Sequence, residues 1–240
     1  MAFEKTWQYY DALYDAEGKD YAAEAKLLRW MAADHGAEPG NARWLDVACG
    51  TGRHFEHLSG FERVGTDIDP RMLQIAQERC HDVRFEAMDM RTLDAAQLGG
   101  TFDVVTCLFS AIGYMANKEE LQAAVRSMAD CLATTGVLLI EPFIEPGMVE
   151  ALDRPRATFV DMPALKLARI NYASVREGNR LAIEFHYLIG EGGEVRHVRE
   201  SHELTMFERE DFREAFEMAG LNWSYKENGI AGRGLHLGTR

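Results

Sequence analysis

The stretch Arg43-Trp44-Leu45-Asp46-Val47-Ala48-Cys49-Gly50-Thr51-Gly52 decides the fold. Its first half is a short apolar run that reads as a buried strand over 44–48, and its second half is a turn built on two glycines. Gly50 and Gly52 let the backbone turn tightly and come close to a ligand, because a Cβ would obstruct both the conformation and the contact. The next apolar run, 62–67, ends in Val64-Gly65-Thr66-Asp67, which places a carboxylate 21 residues after Asp46. At the end of a neighbouring parallel strand, such a carboxylate can take both hydroxyls of a ribose.

Working outward, strands over 44–48, 62–67, 83–86, 102–108 and 137–141 alternate with helices over 52–58, 70–80 and 118–132. That rhythm predicts an α/β chain with a Rossmann-like parallel sheet and helices on both faces. Upstream, Tyr10, Leu13, Tyr14, Ala25, Leu28 and Met31 fall at helical spacings on either side of Gly18-Lys19-Asp20. They predict an N-terminal helical lid over 1–40. Downstream, the runs from Leu165 to Phe207 are interrupted by Glu177-Gly178-Asn179 and by Gly190-Glu191-Gly192-Gly193, which are hairpin signals. An antiparallel β appendage is therefore expected over 158–207, followed by a helix over 208–219 and closing strands over 222–227 and 234–239. The chain reads as one domain over 1–240, carrying this insert and lid.

Composition narrows the function. The 26 Lys and Arg against 39 Asp and Glu leave a net charge of −13, a surface that repels nucleic acid backbones and anionic lipid. No stretch approaches the apolar length needed to cross a bilayer, and the start has no basic segment followed by an apolar run, so a cytoplasmic protein is expected. Cys49, Cys80, Cys107 and Cys131 form no CxxC pair and are read as reduced and mostly buried. His54 and His57 lack a third ligand, so no metal is expected, and they are read as marking a partly exposed helix face. The Glu208-Arg209-Glu210-Asp211 cluster is read as the charged start of a solvated helix.

Met88-Asp89-Met90 follows the third strand, where a carboxylate can accept from an exocyclic adenine amine while methionines pack on the ring. A dinucleotide fold would show GxGxxG, and Gly50-Thr51-Gly52-Arg53-His54-Phe55 lacks the third glycine, which disfavours NAD. LDVACGTG (45–52), VGTDID (64–69), MDM (88–90) and FDVVTC (102–107) together resemble the motifs of class I S-adenosylmethionine-dependent methyltransferases. The resemblance implies S-adenosyl-L-methionine as cofactor, with the glycine loop against its methionine moiety, Asp67 on the ribose and Asp89 at the adenine. It implies a cofactor-binding set of Asp46, Ala48, Gly50, Gly52, Asp67, Ile68, Asp89, Met90 and Tyr21.

A narrower resemblance runs from Tyr10 to Gly238. Tyr10-Asp11, GKDYAAEA (18–25), CLFSAIGYM (107–115), Glu141-Pro142, HELTMFER (202–209) and GRGL (232–235) look like segments of the nucleotide-linked amino-sugar N,N-dimethyltransferases of macrolide sugar pathways. It implies a dTDP-linked amino sugar as the acceptor, with substrate-binding residues Tyr10, Tyr114, Glu141, His202 and Arg233 and catalytic candidates Tyr114, Glu141 and Tyr10. One position departs: Gly113-Tyr114-Met115 has Tyr where that family carries a His.

An amine must be neutral to attack a methyl group, and each transfer leaves a proton to be lost. An unperturbed phenol titrates near pH ~10, so Tyr114 is read as positioning the amine rather than as a base. Glu141 is read as holding the ammonium and accepting its proton, or else as a hydrogen bond at the sheet end. Arg233, between two glycines, has the chemistry to bridge a diphosphate, or else is a surface arginine in a flexible turn. Lys19 is read as a solvated turn residue or a partner of the cofactor carboxylate, and His202, placed just before a strand, as bordering the acceptor or as structural. The competing readings are a methyltransferase for another small amine or hydroxyl, a non-catalytic S-adenosylmethionine binder, and an NAD-dependent oxidoreductase. A homodimer is a further expectation, from the exposed hairpins.

Overall fold

The computed structural model describes residues 3–148 and 154–240, which fall into two units. One holds the described parts of 1–20 and 145–206, the other 21–144 and 207–240. The helices are α1 (Tyr10–Ala16), α2 (Tyr21–Ala33), α3 (Pro70–Arg79), α4 (Lys118–Asp130) and α5 (Arg209–Met218). The strands are β1 (Arg43–Val47), β2 (Glu62–Asp67), β3 (Arg84–Ala87), β4 (Phe102–Cys107), β5 (Leu132–Ile140), β6 (Arg156–Asp161), β7 (Leu165–Arg176), β8 (Arg180–Glu191), β9 (Glu194–Thr205), β10 (Asn222–Lys226) and β11 (Leu235–Thr239).

The larger unit is a seven-stranded mixed sheet in the order β10-β11-β5-β4-β1-β2-β3. β1 to β5 run parallel, and β11 joins β5 antiparallel. Because side chains alternate along a strand, each parallel strand feeds two cores. Leu45, Val47, Val105, Cys107, Leu138 and Ile140 pack with Leu121, Val125 and Met128 of α4 and Phe212 and Phe216 of α5. Trp44, Val104, Val137, Leu139 and Leu237 pack with Ala25, Leu28 and Met31 of α2 and Leu73 of α3. This is the Rossmann-like sheet with helices on both faces. The chain turns back at β1, which pairs with β2 on one side and β4 on the other, and ligands collect at the carboxyl ends of strands at such a switch point.

Local chemistry sets the helix starts. Asp69 caps α3 by accepting from Arg71 N at 3.0 Å, with Pro70 in the first turn, and Asn117 caps α4 by accepting from Glu120 N at 2.9 Å. Glu208 and Asp211 form a capping box on α5, and Asp211 is buried and paired with Lys118, so the cluster read as a solvated helix start is half a packing device. The helix expected over 52–58 is only a 3₁₀ turn, Arg53–His57, because Gly52 before it is left-handed and Ser59-Gly60 follow at once. β5 begins at Leu132 rather than 137, and its pairing with β4 shifts register between Phe102 and Val104.

The smaller unit is an antiparallel sheet in the order β6-β7-β8-β9. Its tight turns match the sequence signals: Gly178 and Asn179 join β7 to β8, and Gly192 and Gly193, both at positive φ, join β8 to β9. Val160, Leu167, Phe185, Tyr187 and Ile189 on one face of the sheet pack with Tyr9 and with Leu13 of α1. Buried Arg169 pairs with Glu17 and lies 5.3 Å from the Phe185 ring centroid. Thus α1 belongs with this sheet and α2 with the larger one. All four cysteines are buried and free. Among the described residues, no helix is long and apolar enough to cross a membrane.

Candidate active site

The loop after β1 is shaped by three left-handed residues, Ala48 at φ +56°, Gly50 at +56° and Gly52 at +73°. A Cβ at Gly52 would stand 3.0 Å from the Ala76 Cβ, so that glycine lets the loop sit against α3. A Cβ at Gly50 would meet no protein atom within 4 Å, so glycine there serves the backbone conformation and leaves that side of the loop open to a ligand. Gly50 N donates to Asp67 Oδ2 at 2.9 Å, and Asp69 N donates to Asp67 Oδ1 at 2.8 Å. These bonds fix the carboxylate at the end of β2 and leave lone pairs on both oxygens. Burial raises the Asp67 pKa, against the pull of its backbone donors.

Beside Asp67, Ile68 is 55% exposed. Met88 and Met90 are half-buried, and Met88 N donates to Asp67 O at 3.0 Å, which ties the turn after β3 to the end of β2. Asp89 in that turn accepts from Arg91 N at 2.9 Å and from Arg91 Nε at 3.0 Å, and the Arg91 guanidinium holds its carboxyl below the usual range. The residue set fits an adenosyl group: a fixed carboxylate for a vicinal diol, apolar side chains for a flat ring, and a glycine loop that admits close backbone approach.

Other residues of the set support the loop from below. Asp46 is buried under it, accepts from Thr106 Oγ1 at 2.7 Å, and is pushed by burial to a pKa of about 6. His54 is buried and bonded to Glu24 at 2.8 Å, not on an exposed face as its spacing with His57 suggested. Its partner lies 30 residues away on α2, which no local pattern reveals. Tyr21 of α2 is buried, with its ring edge-on to His54 at 5.1 Å and the Arg53 guanidinium 4.9 Å from its centroid.

A second cluster lies where β4 and β5 end. Glu141 directly follows β5 and is fully buried; Phe109 N donates to its Oε2 at 2.6 Å. Arg233 Nη1 stands 3.7 Å from Glu141 Oε1 and donates to Ser110 Oγ at 2.7 Å. Arg233 is therefore drawn into this cluster instead of standing in an open turn, and sequence reading missed Ser110, which lies 123 residues from it. Tyr114 closes the short 3₁₀ turn Ala111–Tyr114 after β4 and is 37% exposed.

Tyr10, Lys19 and His202 belong to the smaller unit. Tyr10 packs edge-on against Phe3 and Tyr14 at 5.0 and 4.6 Å. Lys19 follows α1, its backbone N donating to Tyr14 O at 3.1 Å. His202 lies within β9 rather than before a strand, accepts from Phe3 N at 3.3 Å, and is driven by burial to a pKa of about 4. A neutral buried imidazole at that position follows from the alternation of β9, which turns His202 onto the packed face.

The fold is that of a class I S-adenosylmethionine-dependent methyltransferase, and S-adenosyl-L-methionine is its cofactor. Residues 45–136 match the methyltransferase domain family. More particularly, the chain belongs to the family of the nucleotide amino-sugar N,N-dimethyltransferases. It is 38% identical, over 96% of its length and 95% of the other's, to the dTDP-3-amino-3,4,6-trideoxy-alpha-D-glucopyranose N,N-dimethyltransferase of Streptomyces venezuelae. It is also 38% identical to the dTDP-3-amino-3,6-dideoxy-alpha-D-glucopyranose N,N-dimethyltransferase of Streptomyces fradiae, over 95% of this chain and 88% of that one. Among solved structures it is similar to S-adenosylmethionine-bound CalS10, an amino pentose methyltransferase of Micromonospora echinaspora involved in calicheamicin biosynthesis. There the TM-score is 0.84 and the identity 36%, over 96% of both chains.

Proposed function

We propose that this enzyme transfers methyl groups to the amino group of a dTDP-linked amino sugar, twice, to give the N,N-dimethyl product. The observation that carries the reading is Glu141: a fully buried carboxylate at the carboxyl end of β5, with a guanidinium 3.7 Å away. Bound S-adenosylmethionine supplies an activated methyl on a sulfonium, so the protein's part is placement, exclusion of water and removal of a proton. Gly50 and Gly52 lie against the methionine moiety and Asp67 holds the ribose, with Ile68, Met90 and Asp89 about the adenine. Ala48 and Asp46 shape the loop, and Tyr21 packs behind it. Glu141 holds the amine and takes a proton after each transfer; Tyr114 orients it; Arg233 faces the diphosphate.

Two relatives with 3-amino substrates in their names support the acceptor class. The test is a panel assay: purified protein with methyl-labelled S-adenosylmethionine and dTDP-linked 3-amino and 4-amino sugars, simple amines and hydroxyl acceptors. Label on a dTDP-amino sugar is the expected result. Label on simple amines or hydroxyls alone overturns the acceptor assignment, and cofactor binding with no transfer to any acceptor overturns catalysis.

A further inference from the structure

We propose that Ser110 is a positioning residue that sets the stand-off between Arg233 and Glu141 and so keeps the guanidinium available to an anionic acceptor group. Phe109 and Ser110 lie in succession at φ +54° and +63°, and neither is glycine. Side-chain-bearing residues seldom adopt this conformation, and two together persist only where the surroundings over-determine them. Here the surroundings are the acceptor cluster itself. Phe109 N donates to Glu141 Oε2 at 2.6 Å, and Ser110 Oγ donates to Pro142 O at 3.0 Å, so the strained pair grips two successive residues after β5.

Ser110 has a single hydroxyl proton. Given to the Pro142 carbonyl, it leaves lone pairs as the only thing the oxygen can present elsewhere, and Arg233 Nη1 donates to that oxygen at 2.7 Å. The polarity of the relay is therefore fixed. Anchored there, Nη1 stays 3.7 Å from Glu141 Oε1, outside the 2.7–2.9 Å range of a charge-assisted hydrogen bond. Glu141 has an electrostatic neighbour, but this nitrogen does not cap its Oε1, and Arg233 is not locked into a tight ion pair. The Phe109 ring, its centroid 5.8 Å from the guanidinium carbon, lies on the same turn.

Without the hydroxyl, Arg233 loses its anchor and closes on Glu141. An incoming diphosphate must then break a direct hydrogen-bonded pair that the 3.7 Å separation in wild type does not make. This inference rests on the proposed role of Arg233 toward the diphosphate, and dTDP is the probe. With S-adenosylhomocysteine bound, calorimetric titration with dTDP is compared for wild type, Ser110→Ala, Ser110→Gly, Arg233→Ala and the Ser110→Gly/Arg233→Ala double variant.

Both Ser110 variants are expected to bind dTDP about tenfold more weakly, with S-adenosylhomocysteine affinity within twofold of wild type. Glycine adopts +63° without strain, so Ser110→Gly is expected to melt above Ser110→Ala yet share its weakened dTDP binding. The double variant is expected to bind no worse than Arg233→Ala, because the hydroxyl acts through that side chain. In turnover of a dTDP-amino sugar, KM rises and kcat stays within about threefold, because the bound diphosphate draws Arg233 from Glu141. If Arg233→Ala weakens dTDP while Ser110→Gly binds as wild type, adds in full to Arg233→Ala, or loses affinity only in step with melting temperature, the Ser110 role is overturned. If wild type binds no dTDP, or Arg233→Ala binds it normally, the acceptor reading beneath it fails.

Discussion

Replacing Asp67 tests the nucleoside cradle at its most specific point. The carboxylate already accepts from Gly50 N and Asp69 N at 2.9 and 2.8 Å, one on each oxygen, so its remaining lone pairs are presented in a fixed plane. A ribose diol on both oxygens makes two hydrogen bonds to a charged group, each worth about 1.5 kcal/mol at the low end of such bonds. Losing both in Asp67→Ala removes about 3 kcal/mol, roughly a hundredfold in Kd for S-adenosylmethionine. Asp67→Asn keeps one oxygen acceptor and the side-chain shape, and about a tenfold loss is expected. Calorimetric titration with S-adenosylmethionine and S-adenosylhomocysteine measures both, with a melting curve to show that the fold is intact. The two ligands share the adenosyl group, so both should weaken alike. An Asp67→Ala protein that is folded and binds within twofold of wild type would refute the ribose assignment.

Glu141→Gln keeps an oxygen for Phe109 N but removes the charge, and about a hundredfold loss of kcat is expected with S-adenosylmethionine Kd unchanged, measured by steady-state turnover and titration. Asp46 has a native pKa of about 6 against 3.8 unperturbed, so the native state holds the proton more tightly. Its ionisation penalty is fully present above about pH 6 and fades as pH falls through that value, vanishing about a unit below the unfolded 3.8, where both states are protonated. Asp46→Asn still accepts from Thr106, so it is expected to be more stable than wild type by about 3 kcal/mol at pH 7. That advantage should shrink below about pH 6 and vanish near about pH 3 in denaturant titrations, and a pH-independent difference would contradict it.

The parallel sheet was legible because its strands are continuous apolar runs punctuated by glycine and polar turns, and the hairpins because Glu177-Gly178-Asn179 and Gly192-Gly193 admit the backbone those turns require. The glycine turn after β1 and its approach to Asp67 were legible because these residues are near in sequence. What escaped was set by partners far along the chain. β5 extends back to Leu132 through Thr134, Thr135 and Gly136 because β4 pairs with it across a register shift, and the hypothetical Cβ at Gly136 would stand 2.9 Å from the Phe102 and Asp103 carbonyls. His54 is buried by Glu24, and Arg233 is turned inward by Ser110; neither partner carries a local signal. His202 was misplaced because polar residues on both sides, Ser201 and Glu203, hide the strand that β8 organises.

A crystal structure with S-adenosylhomocysteine and a dTDP-linked amino sugar bears most directly on the whole interpretation. The expected density has both ribose hydroxyls on Asp67, the thioether sulfur aimed at the sugar nitrogen, and that nitrogen beside Glu141 with Arg233 on the diphosphate. A nucleoside bound away from the turn after β1, or a sugar whose nitrogen points away from the sulfur, would contradict it.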